Sequence, residues 1–174
     1  MAPSSSAALP IAYGALRILI VLNWLYAAAI FALLAATIVA ERWTMTALGI
    51  TPSPDNWPLT VGMRTIAALG LIAIPLYHTI LKRLVSMVET VRAGDPFVAA
   101  NADRLQAIAW VLLWLQVLSL VIGAMGRLVS TAHHPLHLDA GFSTSGWLAV
   151  LLTFVLARVF AEGTLMREDL KGTV

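Results

Sequence analysis

The sequence contains no cysteine. Disulfides, thiolate metal sites, iron–sulfur clusters and thiol redox chemistry are all excluded by that absence, while the redox compartment stays open. Charge is almost as scarce. Only 11% of residues are Asp, Glu, Lys or Arg, where an ordinary soluble domain carries about 25%. The net charge of +2 is too small to suggest a nucleic-acid interface. Serine-hydrolase, zincin, phosphate-loop and dinucleotide-binding signatures are missing as well. The N-terminal MAPSSSAALPIAYG has no basic segment ahead of its apolar stretch, so it reads as a short tail before an uncleaved first helix and not as a signal peptide.

What is present is apolar. The 174 residues are 60% hydrophobic, with a mean hydropathy of +0.86. A soluble core of this size could not hide so much apolar surface, so part of the solvent must be lipid. Uncharged runs locate the spans at 18–40, 65–81, 105–126 and 140–157. A helix crossing the hydrocarbon needs roughly 17–25 apolar residues, and all four runs qualify. The shortest is extended by Leu59–Met63, with Arg64 reaching to the interface. The expected architecture is one all-α domain over 1–174, with spans near 16–40, 59–83, 105–127 and 142–161 in an antiparallel bundle.

Lys and Arg set the expected orientation. Arg17, Lys82, Arg83, Arg92, Arg104, Arg158, Arg167 and Lys171 fall on one side, and Arg42, Arg64 and Arg127 on the other. The positive excess marks the cytoplasmic side, which puts both termini and residues 82–104 inside. Trp43, Trp57 and Trp147 then fall near the outer interface, where indoles prefer to sit.

The outer connections are ERWTMTALGITPSPDNWP, broken by Pro52, Pro54 and Pro58, and STAHHPLHLDAGFSTSG. The inner one is a cytoplasmic elbow over 82–104, and a cytoplasmic tail follows over 162–174. Leu84, Val85, Val88 and Val91 recur at helical spacing, with polar residues between them, so the second helix should continue beyond the lipid. Gly94 is a natural stop. Asp95–Pro96 reads as a cap followed by proline at a first helical position, and Asn101 as a second cap before the third span. The elbow is expected to connect, not to catalyse.

A few polar residues interrupt the spans. Asn23 and His78 lie at similar depth on the inner half, and Arg158 and Glu162 are four apart, so they can pair. Polar groups in lipid usually face the bundle interior, which predicts an inner cluster of Asn23, His78, Arg158 and Glu162. Helix–helix hydrogen bonds are its leading interpretation, ahead of a ligand or proton site. Gln116 should bond a neighbouring helix, for instance at the carbonyl freed by Pro75. Ala28, Ala32, Ala36 and Ala40 give the first helix a small-residue face for close packing. His133, His134, His137 and Asp139 have metal-ligand chemistry, but Pro135 breaks their register, and no metal is expected. A haem would need two axial histidines within the spans, where only His78 is available, so no cofactor is expected either.

The elbow GDPFVAANADRL and the C-terminal VFAEGTLMREDLKGTV together resemble the bacterial membrane proteins grouped as domain of unknown function 2975. The residues concerned are Gly94, Pro96, Phe97, Asn101 and Leu105, then Phe160, Gly163, Leu165, Glu168, Asp169, Leu170, Thr173 and Val174. The resemblance implies four membrane helices. It also implies a shared role with a small helix-turn-helix regulator, which is often encoded beside such proteins. The resulting expectation is a multi-pass protein of the bacterial inner membrane, not an enzyme. Gly94, Pro96, Phe97, Asn101, Gly163, Glu168, Asp169 and Leu170 would present a cytoplasmic surface to a protein partner such as that regulator, without direct nucleic-acid contact. The alternative is a small transporter or ligand sensor using the inner polar cluster.

Overall fold

The structure, a computed structural model, describes residues 5–49, 57–130 and 139–172, with side chains described from residue 8 to residue 167 within those segments. Among them are the helices α1 (Ser5–Val39), α2 (Glu41–Ala47), α3 (Trp57–Arg92), α4 (Ala99–Val129) and α5 (Thr144–Gly172), and no strand. Backbone polar groups find no water in lipid, so apolar runs of this length close their hydrogen bonds internally as helices. Four of these helices are long and apolar enough to cross a membrane: Ala8–Val39, Trp57–Arg92, Ala99–Val129 and Thr144–Arg167. The chain is an all-α, multi-pass membrane protein, and each helix contains or overlaps its expected span.

The tertiary contacts divide the chain into two compact units. The first combines Met1–Asn23, Leu76–Trp114 and Thr144–Val174. Its interior is lined by Ile80 and Val85 of α3, Leu105, Ile108 and Ala109 of α4, and Val150 and Ala157 of α5. The α4 positions follow helical periodicity, which is the pattern of one buried stripe. Trp110 meets Phe154 edge-on, with centroids 5.4 Å apart.

The second unit combines Trp24–Pro75 and Leu115–Ser143. Here α2, unforeseen in the sequence, carries Met45 onto Leu59, with Met63 and Val129 packed around them. Arg64 does not reach for the interface as expected. It donates to the Thr37 carbonyl and pairs with Glu41 at 3.0 Å, with its side chain only 22% exposed. A carboxylate at the start of α2 and a free helix-end carbonyl offer it partners, so it need not extend to water. A Cβ on Gly123 would lie 2.7 Å from the Ala140 carbonyl oxygen, so that backbone rides directly on α4. Ser119 Oγ fixes it there, accepting from the Gly141 N–H at 3.0 Å and donating to the Gly141 carbonyl at 3.2 Å.

The alanine stripe of α1 does not mark its packed face. Ala28, Ala32 and Ala40 are exposed and only Ala36 of the stripe is half-buried, whereas the less accessible positions include Ile20, Asn23, Ala27, Ile30, Leu34 and Thr37. Those repeat at three- and four-residue steps, the spacing of a helix–helix seam. Size alone, without that alternation, misplaced the face. Gln116 is half-buried but makes no hydrogen bond to a described residue, so the expected bond to the carbonyl freed by Pro75 is not formed.

Candidate functional site

The site follows from how α3 ends. Gly94 takes φ +84°, a left-handed conformation that a side chain would disfavour. Its N–H bonds the Val91 carbonyl and the Asp95 N–H bonds the Thr90 carbonyl, both at 3.0 Å. This pairing is a Schellman stop, which satisfies two carbonyls at the end of α3. The stop at Gly94 is where the sequence placed it.

The restart differs. No helix begins at Pro96, and residues 95–98 are irregular. Asp95 does not cap, because its carboxylate is engaged by Arg167 of α5. Asn101 does not cap either: it lies within the first turn of α4, which begins at Ala99, and it is 0% exposed. From there its amide donates to Thr90 Oγ1 at 2.7 Å and to the Pro96 carbonyl at 2.9 Å. Its own oxygen accepts from Arg104 at 2.7 Å. Thr90 passes the chain on, donating to the Met87 carbonyl at 2.7 Å. A buried amide needs its donors and acceptor satisfied, and here it joins α3, the elbow and α4.

The elbow is also clamped by α5. Arg167 pairs with Asp95 and donates to the Phe97 carbonyl at 3.1 Å. The Phe97 ring lies 5.3 Å from that of Phe160, centroid to centroid, tilted by 32°. It also covers Gly163, where a Cβ would meet it at 3.4 Å. Glycine there lets the ring lie close against the helix. Gly94, Pro96, Phe97, Asn101 and Gly163 therefore gather into one joint. Thr90, Asp95, Arg104, Phe160 and Arg167 complete it, and sequence reasoning gave Thr90, Asp95 and Arg167 no part in such a joint. Arg104 stands three residues beyond Asn101 on one helix face, a spacing that could have signalled it. Asp95 and Arg167 are too far apart in sequence to leave a local sign.

The other expected site residues fare differently. Arg158 and Glu162 pair at 2.6 Å, but their side chains are 79% and 48% exposed. The pair lies on the surface of α5 and is not part of an enclosed cluster with Asn23 and His78, which are half-buried on α1 and α3. With only four residues between them, the two ends satisfy each other locally, and burial adds nothing they need. Glu168, Asp169 and Leu170 lie on α5 with side chains outside the described residues, as do Thr173 and Val174 entirely. His133, His134 and His137 also lie outside them, and Asp139 is exposed. Among the described residues no three His, Asp or Glu side chains are grouped as a metal ion would require.

The joint's polar groups spend their hydrogen bonds on one another, so what the arrangement does chemically is hold three helices in register. Comparison with curated proteins and with solved structures returns no match. Residues 7–174 match the family described as protein of unknown function (DUF2975). With almost its whole length matched, elbow and tail included, the chain belongs to that family.

Proposed function

We propose that this is a non-enzymatic protein of the bacterial inner membrane, with both termini and the elbow cytoplasmic, that presents the end of α5 to a protein partner such as a cytosolic helix-turn-helix regulator. The observation that carries this reading is the clamp of Arg167 on Asp95 and the Phe97 carbonyl. It ties α5 to the elbow at Arg167, one turn of helix after Gly163 packs against Phe97. A partner meeting a fixed segment loses less conformational freedom on binding than one that must order a loose tail. The elbow residues serve as the mount, and the contact surface is the segment from Glu168 onward.

The orientation rests on the basic residues. Eight of the eleven, Arg17, Lys82, Arg83, Arg92, Arg104, Arg158, Arg167 and Lys171, belong to the first unit and three to the second. A positive excess on the elbow side favours that side as cytoplasmic. A reporter active only in the periplasm, fused after Gly94, should therefore stay silent, and strong activity would invert the topology.

Deleting Glu168–Val174 tests the docking role while sparing Arg167. The truncated chain should insert, keep its helix content and lose binding to a cytosolic helix-turn-helix regulator. Undiminished binding would rule the segment out as the contact surface.

A further inference from the structure

We propose that the cleft between α1 and α3 in the first unit is a phospholipid headgroup site, taking a singly charged phosphodiester with its acyl chains lying along α1. The cleft has a volume of about 270 Å³ and is lined by Arg17 and Ile20 of α1 and by Lys82, Val85, Ser86 and Glu89 of α3. Lys82, Ser86 and Glu89 stand four and three residues apart, so they share one face of the helix. Ile20 and Val85 supply apolar walls between the polar groups.

Among the described residues no carboxylate forms a direct ion pair with the cations here. The ion pairs among the described residues are Arg64–Glu41, Arg158–Glu162 and Arg167–Asp95, and none involves Arg17, Lys82, Arg83 or Arg92. Tyr13 draws two of them together instead. Its hydroxyl accepts from Arg17 at 2.7 and 3.2 Å, and its ring centre lies 5.2 Å from the Arg17 guanidinium and 5.3 Å from that of Arg92. Holding guanidinium groups on an aromatic face without a carboxylate keeps their charge available to an outside anion.

Depth selects a lipid over a soluble phosphate. Arg17 immediately precedes the uncharged run 18–40, and Lys82 immediately follows the uncharged run 65–81. Both therefore stand where hydrocarbon gives way to headgroups. Val21, one turn beyond Arg17 on the same face of α1 and 59% exposed, offers an acyl chain an apolar contact beneath the headgroup. Basic pockets between membrane helices at this level hold lipid phosphates.

Glu89 sets which phosphate. Counting Arg17, Lys82 and Glu89, the cleft carries a net charge of +1, matched by one phosphodiester. The carboxylate accepts a bond from a headgroup hydroxyl and repels the second charge of a phosphomonoester.

The test uses the full chain in neutral detergent, titrated with short-chain phosphatidylglycerol, phosphatidic acid or inorganic phosphate. Binding is read by native mass spectrometry and by the shift in thermal unfolding. Phosphatidylglycerol should bind saturably, and inorganic phosphate at the same concentration should not. Removing both cations by Arg17→Gln with Lys82→Gln should weaken phosphatidylglycerol about thirtyfold, at roughly tenfold per 1.4 kcal/mol and about 1 kcal/mol per basic group. Lys82→Arg should retain binding, and Arg158→Gln, at an exposed cation elsewhere in the unit, should leave it unchanged. Glu89→Gln should raise the affinity for phosphatidic acid relative to phosphatidylglycerol. If losing the Tyr13 contacts unfolds the Arg17 variant, Lys82→Gln alone decides, with an expected loss of about fivefold. Equal binding by the cation-depleted protein, or an equal loss on Arg158→Gln, would overturn the site. Inorganic phosphate binding as tightly as the lipid would overturn the lipid assignment.

Discussion

Asn101→Leu is the substitution that should expose the elbow's energetics most clearly. The position is 0% exposed, and leucine keeps asparagine's branched shape and heavy-atom count, so no cavity opens and the loss is chiefly polar. Three side-chain hydrogen bonds disappear, to Thr90 Oγ1, to the Pro96 carbonyl and from Arg104. Each such bond is worth about 0.5–1.5 kcal/mol net, and stranded partners cost more. Thr90 keeps its bond to the Met87 carbonyl, and Arg104 is only half-buried and can turn toward water, so the Pro96 carbonyl bears most of the penalty. The expected loss is about 2–4 kcal/mol, a large fraction of the roughly 5–15 kcal/mol that holds an ordinary domain folded. Equilibrium unfolding in mixed micelles, followed by far-ultraviolet circular dichroism, measures it. Thr90→Val should lose less alone and add little on top of Asn101→Leu, because the two share a bond. A loss below about 0.5 kcal/mol for Asn101→Leu would refute the hub.

Two further substitutions test the packing described above. Gly123→Ala should destabilise by about 1–3 kcal/mol, because its Cβ meets the Ala140–Gly141 backbone at 2.7 Å, while Gly14→Ala, with open space around it, should not; equal stability of the two variants in the same unfolding assay would contradict the close approach. A double-mutant cycle on Arg158→Ala and Glu162→Ala should yield a coupling of only about 0.3–0.5 kcal/mol, the range of exposed helix pairs, and a coupling of several kcal/mol would mean that the pair is buried in the membrane-inserted protein.

The parts of this molecule that were legible in its sequence are those governed by lipid or by one residue's backbone. Uncharged runs placed the four spans because charge in hydrocarbon is costly, and Gly94 marked the stop of α3 because it alone there tolerates a positive φ. The pairing of Arg158 with Glu162 was legible too, since four residues on a helix fix the geometry. What escaped depended on distant partners. Asn101 and Asp95 carry the signature of caps, but caps were not what they became: Thr90 and Arg167 claimed them first. Arg64 had the look of an interfacial residue until α2 brought Glu41 beside it. The face of α1 was misread because alanines attract notice, while the seam through Asn23, Ala27, Ile30, Leu34 and Thr37 is mixed in chemistry and shows only in its spacing.

The clamp between elbow and α5 can be tested directly because the chain has no cysteine of its own. Phe97→Cys and Gly163→Cys, introduced together with a protease site in the 131–138 connection, place two thiols where the Phe97 ring now meets Gly163 at 3.4 Å from its would-be Cβ. After mild oxidation in native membranes and cleavage, the account predicts a full-length band without reductant that splits into two fragments when reductant is added. Phe97→Cys with Leu148→Cys, roughly 22 Å away along α5 at about 1.5 Å per residue, should give two fragments throughout. Separation of the Phe97–Gly163 pair without reductant would show that the elbow does not rest on α5, and the mount on which the proposed docking role depends would be absent.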